Sequence, residues 1–537
     1  MASIPWWKTG VIYQVYPRSF ADSDGDGVGD LPGVISHLDH LNDGTPRSLG
    51  VDAIWLSPFF SSPGYDFGYD VADYCAVDPL FGTMADFDRL VDHAHRRGIR
   101  VILDLVLNHT SHLHPWFVES RSSRSSPKRD WYIWKDAGRG GGPPNNWESV
   151  FGGRAWKWDP KTRQYYYHKF LVQQPDLNWR NARVRRAAMD VFRFWLDRGV
   201  DGFRLDVANA YFKDSMLRSN PPSLGIRGYE RQQHFYDKDQ PELFGAYREI
   251  RSILDSYGER MAVGEVMGGM AEAARYCRKG LLPLAFNFDF TDQGWNPRNF
   301  LQSVESYERA LAGEGWPCYV LSNHDIPRHV TRYGGRRPEA RAKVAAAMLL
   351  TLRGTPFLYN GEEIGMRDGK IRRAEIVDPP GRRYWPLYKG RDACRTPFPW
   401  NASAGAGFTT GKPWLPISPD FHAVNLEAQR DDPNSVFSFY RSLIWLRKKT
   451  PALQIGDFRA LESRPARALV FLRETKSQTI LIALNFSDST QTVRLAERPP
   501  SGSWRLLLSS HPAEAAQSPG MDILRLRPDE ATIWEGV

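Results

Sequence analysis

Four short segments hold the residues best suited to chemistry. Gly202-Phe-Arg204-Leu-Asp206 reads as an apolar strand that ends in charge. Successive side chains of a strand point to opposite faces, so Arg204 and Asp206 share one side while Phe203 and Leu205 take the other. Burying two charges is costly unless they find partners, and a strand end that opens into a polar pocket supplies them. A purely structural ion pair is the competing reading, and this segment alone does not separate the two. A second carboxylate, Glu265, follows the apolar run Met261-Ala-Val-Gly264. A third, Asp325, follows Asn323-His324, and another imidazole, His109, follows Asn108.

Two carboxylates on neighbouring strands are what the breaking of a glycosidic bond requires. One attacks or stabilises the anomeric carbon and the other protonates the leaving oxygen; in the retaining version they stand about 5 Å apart. Arg204 is expected to hold Asp206 ionised and aimed, because a nearby cation lowers a carboxylate pKa. The apolar run before Glu265 is expected to raise its pKa, as a general acid needs. Asp325 can grip sugar hydroxyls and favour a distorted, oxocarbenium-like ring, and His109 and His324 suit hydroxyl recognition. A zinc or iron centre built from the same groups is the rival, but they lack a local spacing such as His-Glu-x-x-His.

The elements that must position these groups are legible as eight apolar runs. They run over 11–16, 51–56, 100–106, 202–205, 261–265, 284–288, 318–321 and 355–359. Helical patterns lie between several of them, over 84–97, 182–198, 242–257 and 339–353. Eight β–α alternations predict an α/β fold, a closed parallel (β/α)8 TIM barrel with its chemistry at the C-terminal strand ends. The candidates above all stand at such ends. No barrel helix is evident over 110–180, a stretch too long for a plain loop, so it is read as an inserted subdomain after strand three. After about 451 short strand-like runs replace the helices, which predicts a C-terminal all-β sandwich. The expected division is 1–109 and 181–450 for the barrel, 110–180 for the insertion and 451–537 for the sandwich.

Composition narrows the function classes. The chain has 537 residues, 13% aromatic, with 19 Trp, which suits stacking on sugar rings. A net charge of +8 is spread over scattered Arg-rich pieces without interleaved aromatics, so nucleic acid is not an expected partner. The 4 Cys are far apart, with no Cys-x-x-Cys, which suggests neither a disulfide framework nor a zinc site. The N-terminal residues lack an apolar signal core and no run is long enough to span a bilayer, so a cytoplasmic protein without membrane partners is expected.

Taken together, Asp104-Leu-Val-Leu-Asn-His109, Gly202-Phe-Arg-Leu-Asp206, Gly264-Glu265-Val and Ser322-Asn-His-Asp325 resemble the four signature segments of the α-amylase family, glycoside hydrolase family 13. Gln174-Pro-Asp-Leu-Asn178 is similar to a fifth, typical of the oligo-1,6-glucosidase and α-glucosidase branch. The resemblance spans essentially the whole chain. It implies Asp206 as nucleophile, Glu265 as acid/base and Asp325 as transition-state stabiliser. Arg204, His109 and His324 would hold the reacting glucose. It further implies that Asp66 and Tyr69, in Asp66-Phe-Gly-Tyr69, close the far end of the pocket, with Arg395 as the arginine that pairs with Asp66. Phe151 and Phe170 match aromatics that line the pocket, although a plain core role in the insertion fits them nearly as well.

A separate loop, Asp22-Ser-Asp-Gly-Asp-Gly-Val-Gly-Asp30, alternates Asp with Gly as loops that wrap hard cations do, though without the distal Glu of an EF-hand. The family's oligoglucosidase branch implies structural Ca2+ or Mg2+ here, on Asp22, Asp24, Asp26, Asp30 and the Val28 carbonyl, and no organic cofactor. Val207, after the implied nucleophile, resembles the residue of enzymes that accept α-1,6 bonds. The expected activity is that of a retaining, exo-acting α-glucosidase on short α-glucosides. It would release glucose or transfer it to alcohol, phenol or sugar acceptors, as a monomer or homodimer. A trehalose synthase or sucrose isomerase shares most of these residues. Non-catalytic transporter-associated relatives carry a transmembrane helix and lack the carboxylates, so they fit poorly.

Overall fold

Eight short strands run parallel around one axis in a computed structural model that describes residues 4–138, 140–512 and 523–537. Barrel strands one to eight are Ile12–Val15, Ala53–Leu56, Arg100–Leu105, Gly202–Leu205, Met261–Gly264, Leu284–Ala285, Cys318–Val320 and Thr355–Tyr359. Their hydrogen-bonded order is six-five-four-three-two-one-eight-seven, all parallel. This is a (β/α)8 barrel whose ladder is open at one seam, between strands six and seven. Strand six stops two residues in, short of the expected run to Phe288, because Asn287 accepts from the Phe290 N–H and starts the helix Phe288–Thr291. Side chains bridge the seam instead. The Thr291 hydroxyl donates to the Val320 carbonyl at 2.8 Å, and the Arg332 guanidinium donates to the carbonyls of Leu321 and Thr291.

The helices around the barrel follow from sequence-local signals. Thr83 and Asp86 form a capping box that opens Met84–Arg96, whose buried residues Phe87, Leu90, Val91 and Ala94 recur at helical spacing. Asn181 caps Ala182–Asp197, and Pro338 opens Pro338–Thr351.

Between barrel strands three and four lie the helix Pro115–Ser120 and a three-stranded antiparallel sheet of Trp134–Lys135, Gln164–Tyr167 and Trp156–Asp159. Past the short helix Pro451–Ile455 come two antiparallel sheets. The five-stranded one is ordered Asp457–Ala460, Ala468–Glu474, Thr479–Asn485, Ala531–Gly536, Trp504–Ser509; the three-stranded one holds Ser463–Arg464, Gln491–Leu495 and Ile523–Leu526. Val470, Leu472, Leu481, Val493 and Leu524 pack between the sheets, while Phe471, Ile480, Ile482 and Ile533 of the other face join the main core. Both faces of the five-stranded sheet are therefore covered, and its central strands are apolar throughout rather than alternating. Among the described residues no helix is long and apolar enough to cross a membrane.

Candidate active site

Parallel register assembles the site. Arg204 stands opposite Asp104 of strand three and Val263 of strand five. The pairing continues past the strand ends. The Asp206 N–H donates to the Leu105 carbonyl at 3.0 Å, and the Glu265 N–H to the Leu205 carbonyl at 2.9 Å. Asp206 and Glu265 thus leave adjacent strands side by side. Gly264 makes room for this, since a Cβ there would lie 2.7 Å from Leu282 Cδ1.

Three carboxylates face one guanidinium. Arg204 Nη1 donates to Asp104 Oδ1 and to Asp206 Oδ1, each at 2.7 Å, and Nη2 donates to Glu265 Oε2. The expectation that Arg204 alone keeps Asp206 low is corrected here. Burial, with the charges of Glu265 and Asp104, outweighs Arg204 and lifts the Asp206 carboxyl well above its ordinary range. Asp104 is likewise pushed up to about 6, mainly by burial. Both imidazoles go the other way. Burial takes His109 down to about 4 and His324 down to about 3, so both are neutral at physiological pH. His109 Nε2–H donates to the Tyr69 carbonyl at 3.0 Å while Nδ1 accepts from the Asn108 amide. Gln14 donates to His324 Nδ1 at 2.8 Å, which leaves Nε2–H for the Tyr69 hydroxyl, and that hydroxyl donates to Asp104.

A second set of arginines holds the opposite wall. Arg395 Nη2 donates to Asp325 Oδ1 at 2.6 Å and its Nε to the His324 carbonyl at 2.7 Å. The partner of Asp66 is Arg391, at 2.8 Å, and not Arg395 as expected. The turn Asp392–Arg395 sends the two arginines to neighbouring carboxylates, and Arg391 also binds Asp378 at 2.7 Å. Gln174 donates to the other Asp66 oxygen at 3.0 Å. Burial works against the Asp325 charge, yet Arg391 and Arg395, joined by His324 when it is protonated, outweigh it and hold the carboxyl far below its usual range. For Asp66 burial wins over Arg391, and the carboxyl sits above its ordinary value.

These walls enclose a cavity of about 220 Å3. Asp66, Tyr69, His109 and Arg391 line its buried end, with Asp206, Glu265 and Asp325 on its sides. Half-buried Val150, Phe151, Arg227, Met267 and Tyr388 line its mouth. Phe170, Val207 and Ala210 pack with Val150, Phe151 and Met267 into an apolar wall. Val207 holds φ 36° and ψ 48°, a left-handed conformation that branched residues avoid. Its N–H donates to Glu265 Oε2 at 3.2 Å.

The family profile of the α-amylase catalytic domain matches residues 14–456, and that of a domain of unknown function, DUF3459, matches 460–533. The chain belongs to the α-amylase family. A probable α-glucosidase of Rhizobium meliloti (strain 1021) is 45% identical over 507 residues, 91% of each chain. An oligo-1,6-glucosidase of Parageobacillus thermoglucosidasius is 38% identical over 99% of each. The crystal structure of an α-glucosyl transfer enzyme, XgtA, superposes with a TM-score of 0.94 at 44% identity over 100% of both chains. Among α-amylase-family proteins this is an enzyme of the α-glucosidase type, a glycoside hydrolase or transferase.

Family segments account for part of the site only. Asp66, Tyr69, His109, Phe151, Phe170, Arg204, Asp206, Glu265, His324, Asp325 and Arg395 all lie at or directly against the one cavity. Unforeseen were Asp104, Gln14, Arg391, Arg227, Tyr388 and Met267. Strand alternation points Asp104 at the Arg204 face and could have found it; the loop residues Arg227 and Tyr388 carry no periodic signal. The acidic loop lies apart, packed on residues 409–413: the Thr409 hydroxyl donates to Asp22, and a Cβ on Gly27 (φ +92°) would meet the Lys412 carbonyl at 1.9 Å. Asp22, Asp24 and Asp30 each bring one carboxylate oxygen within 4.8 Å of the others. Asp26 is not in that group, and its Oδ1 accepts the Val28 N–H at 2.7 Å. Such a hard oxygen set fits Ca2+ or Mg2+, although Asp30 also caps the helix Leu31–Ser36.

Proposed function

We propose that this enzyme is a retaining, exo-acting α-glucosidase. It takes one terminal non-reducing α-glucose from a short oligosaccharide or α-glucoside and passes it to water or to an alcohol, phenol or sugar. The observation that carries this is the placement of Asp206 and Glu265 on one guanidinium, Asp206 on its Nη1 and Glu265 on its Nη2. Such proximity favours the retaining spacing of about 5 Å over the roughly 6.5–9.5 Å of inverting enzymes. In the first step an Asp206 oxygen bonds to the anomeric carbon as its bond to the leaving oxygen breaks, and Glu265 gives that oxygen its proton. In the second, Glu265 takes a proton from the acceptor, whose oxygen displaces Asp206 and restores the α-configuration. Asp66 and Arg391 at the buried end favour a terminal ring, and the apolar wall at the mouth favours alcohols and phenols among acceptors. A fluorinated glucosyl fluoride that stalls the second step should label Asp206, and proton NMR should show α-glucose as the first product. Initial β-glucose would sink the retaining reading. Asp206→Ala should lose at least about 10⁴-fold in rate, in line with the loss of other catalytic nucleophiles.

For the acidic loop we propose Asp22, Asp24 and Asp30 as the side-chain ligands of a structural Ca2+ or Mg2+, with Asp26 shaping the turn. The ion would tie the loop to itself and leave the reaction to the carboxylates. Chelation should lower the melting temperature of wild type and leave Asp24→Asn unmoved; equal shifts in both would remove these ligands.

A further inference from the structure

The loop after barrel strand seven carries His324 and Asp325, and that strand has a sheet neighbour on one side only. On the open side only side chains hold its end, Thr291 on the Val320 carbonyl and Arg332 on that of Leu321, so the loop that follows needs anchors beyond them. Arg395 and Asn323 hold the far part of the loop: Arg395 binds the Asp325 carboxylate, and Asn323 Oδ1 accepts the N–H groups of Asp325 and Ile326 at 2.8 and 2.9 Å. The near part begins at Ser322, which is fully buried. Its hydroxyl donates to Glu362 Oε1, a carboxylate with 1% of its surface exposed. His329 Nδ1 stands 3.5 Å from both partners.

Glu362 belongs to the turn Glu362–Ile364 after barrel strand eight, the one strand that seven does pair with. Its neighbour Glu363 faces elsewhere, accepting the Tyr13 hydroxyl at 2.7 Å, His40 at 3.1 Å and the Gly361 N–H at 2.9 Å. The two adjacent buried glutamates are therefore divided: Glu363 ties the turn to strand one, and Glu362 is left to the strand-seven end. A hydrogen bond to a charged acceptor is stronger than a neutral one and is directional. We infer that Glu362 is a positioning residue, which through Ser322 fixes the loop that aims His324 and Asp325 at the sugar. It touches no substrate; from the turn after strand eight it holds the residue that follows the seam anchors at Val320 and Leu321.

This inference rests on the glucosidase reading, in which Asp325 acts chiefly in the transition state. An interaction made there alters kcat more than KM, and misplacement by about 1 Å can cost 10²-fold. Glu362→Met keeps the shape and loses the acceptor; Glu362→Gln keeps an acceptor for Ser322; Ser322→Ala removes the donor with little change in volume. Active sites are counted by trapping the glucosyl-enzyme, and kcat is expressed per trapped site. Glu362→Met and Ser322→Ala should each lower kcat about 10²-fold with KM within a few-fold of wild type, the double variant should be no worse than either, and Glu362→Gln should recover most of the loss. A structural role alone would lower the number of trapped sites and leave kcat per site unchanged, and that result overturns the inference. Ser322→Ala decides the matter even if Glu362→Met does not fold. If wild type itself cannot be trapped at Asp206, the glucosidase reading falls first and this inference falls with it.

Discussion

One guanidinium, Arg204, serves three carboxylates, and this shortage of positive charge governs the chemistry of single residues. Burial raises Asp206 and Asp104 above their ordinary range, while Asp325, between Arg391 and Arg395, is held far below it. The two arginines share Asp325 but differ in their other partners. Arg391→Met leaves Asp66 and Asp378 without their cation at the buried end; removing one partner of a buried charge pair costs about 2–5 kcal/mol, so KM for a terminal glucose should rise by roughly 30-fold or more. Arg395→Met should act mainly on kcat, because it leaves Asp325 with only the longer Arg391 contact, at 3.2 Å. Rates on an aryl α-glucoside check both, and a loss confined to kcat in Arg391→Met would contradict the assignment. The histidines give a pH signature. His109 is depressed to about 4 from an ordinary 6.5, so as pH falls through that window the unfolded chain binds a proton that the folded chain refuses. Stability must then fall as pH falls. His109→Gln should flatten the dependence of melting temperature on pH between about 4 and 6.5; an unchanged slope would show that the buried imidazole does not differ from the unfolded one. Asp206, Glu265 and Asp325 were legible because charge at the end of an apolar run is conspicuous. Nothing local chooses between Arg391 and Arg395, four residues apart in one motif. Only the turn between them decides which meets Asp66.

At the scale of elements, helices over 84–96 and 182–197 announce themselves by caps and apolar spacing, 243–256 by apolar spacing alone and 338–351 by an apolar run behind Pro338, and all fall within two residues of expectation. Strand six was overestimated because Asn287 is a helix cap inside an apolar run, and capping is decided by the side chain's hydrogen bond rather than by hydropathy. The end of strand four holds a feature that no pattern encodes: Val207 in a left-handed turn. Placing a branched residue there costs roughly 1–3 kcal/mol, and the turn directs its N–H to Glu265 and its side chain into the apolar wall. Replacing a buried valine by glycine in a strand ordinarily costs several kcal/mol through lost burial and added chain freedom. At Val207 the released strain offsets part of that. Val207→Gly should thus lower the melting temperature clearly less than Val101→Gly on strand three, while reducing activity more. Equal destabilisation by the two would mean that the turn stores no strain.

For the whole molecule the question is why the C-terminal sheets and the barrel behave as one body. The five-stranded sheet gives Phe471, Ile480, Ile482 and Ile533 to the core of the barrel helices. Arg473 reaches across the same face, fully buried, and donates to the carbonyls of Thr351, Leu453 and Gly456. Arg447 beside it donates to Leu350, Leu453 and Gly354. Burial lowers the pKa of both guanidinium groups, to about 10 for Arg447, which therefore remains charged at neutral pH. They lie where the helix Pro338–Thr351 ends, and cations favour the negative end of a helix dipole. The continuous apolar runs at 468–472 and 479–484 carried a trace of this arrangement, for a strand covered on one face alone would alternate. The carbonyl partners of the two arginines had no trace, since any backbone can accept. The structure therefore predicts one cooperative melting transition for wild type. Arg473→Leu strips three carbonyls of a donor, at about 1–3 kcal/mol for each one left unsatisfied, and should lower the melting temperature by several degrees while uncoupling the sheets from the barrel. Calorimetry reads both effects. Two separate transitions in wild type, or a single unshifted one in Arg473→Leu, would show that the shared core does not bind the two parts into one folding unit.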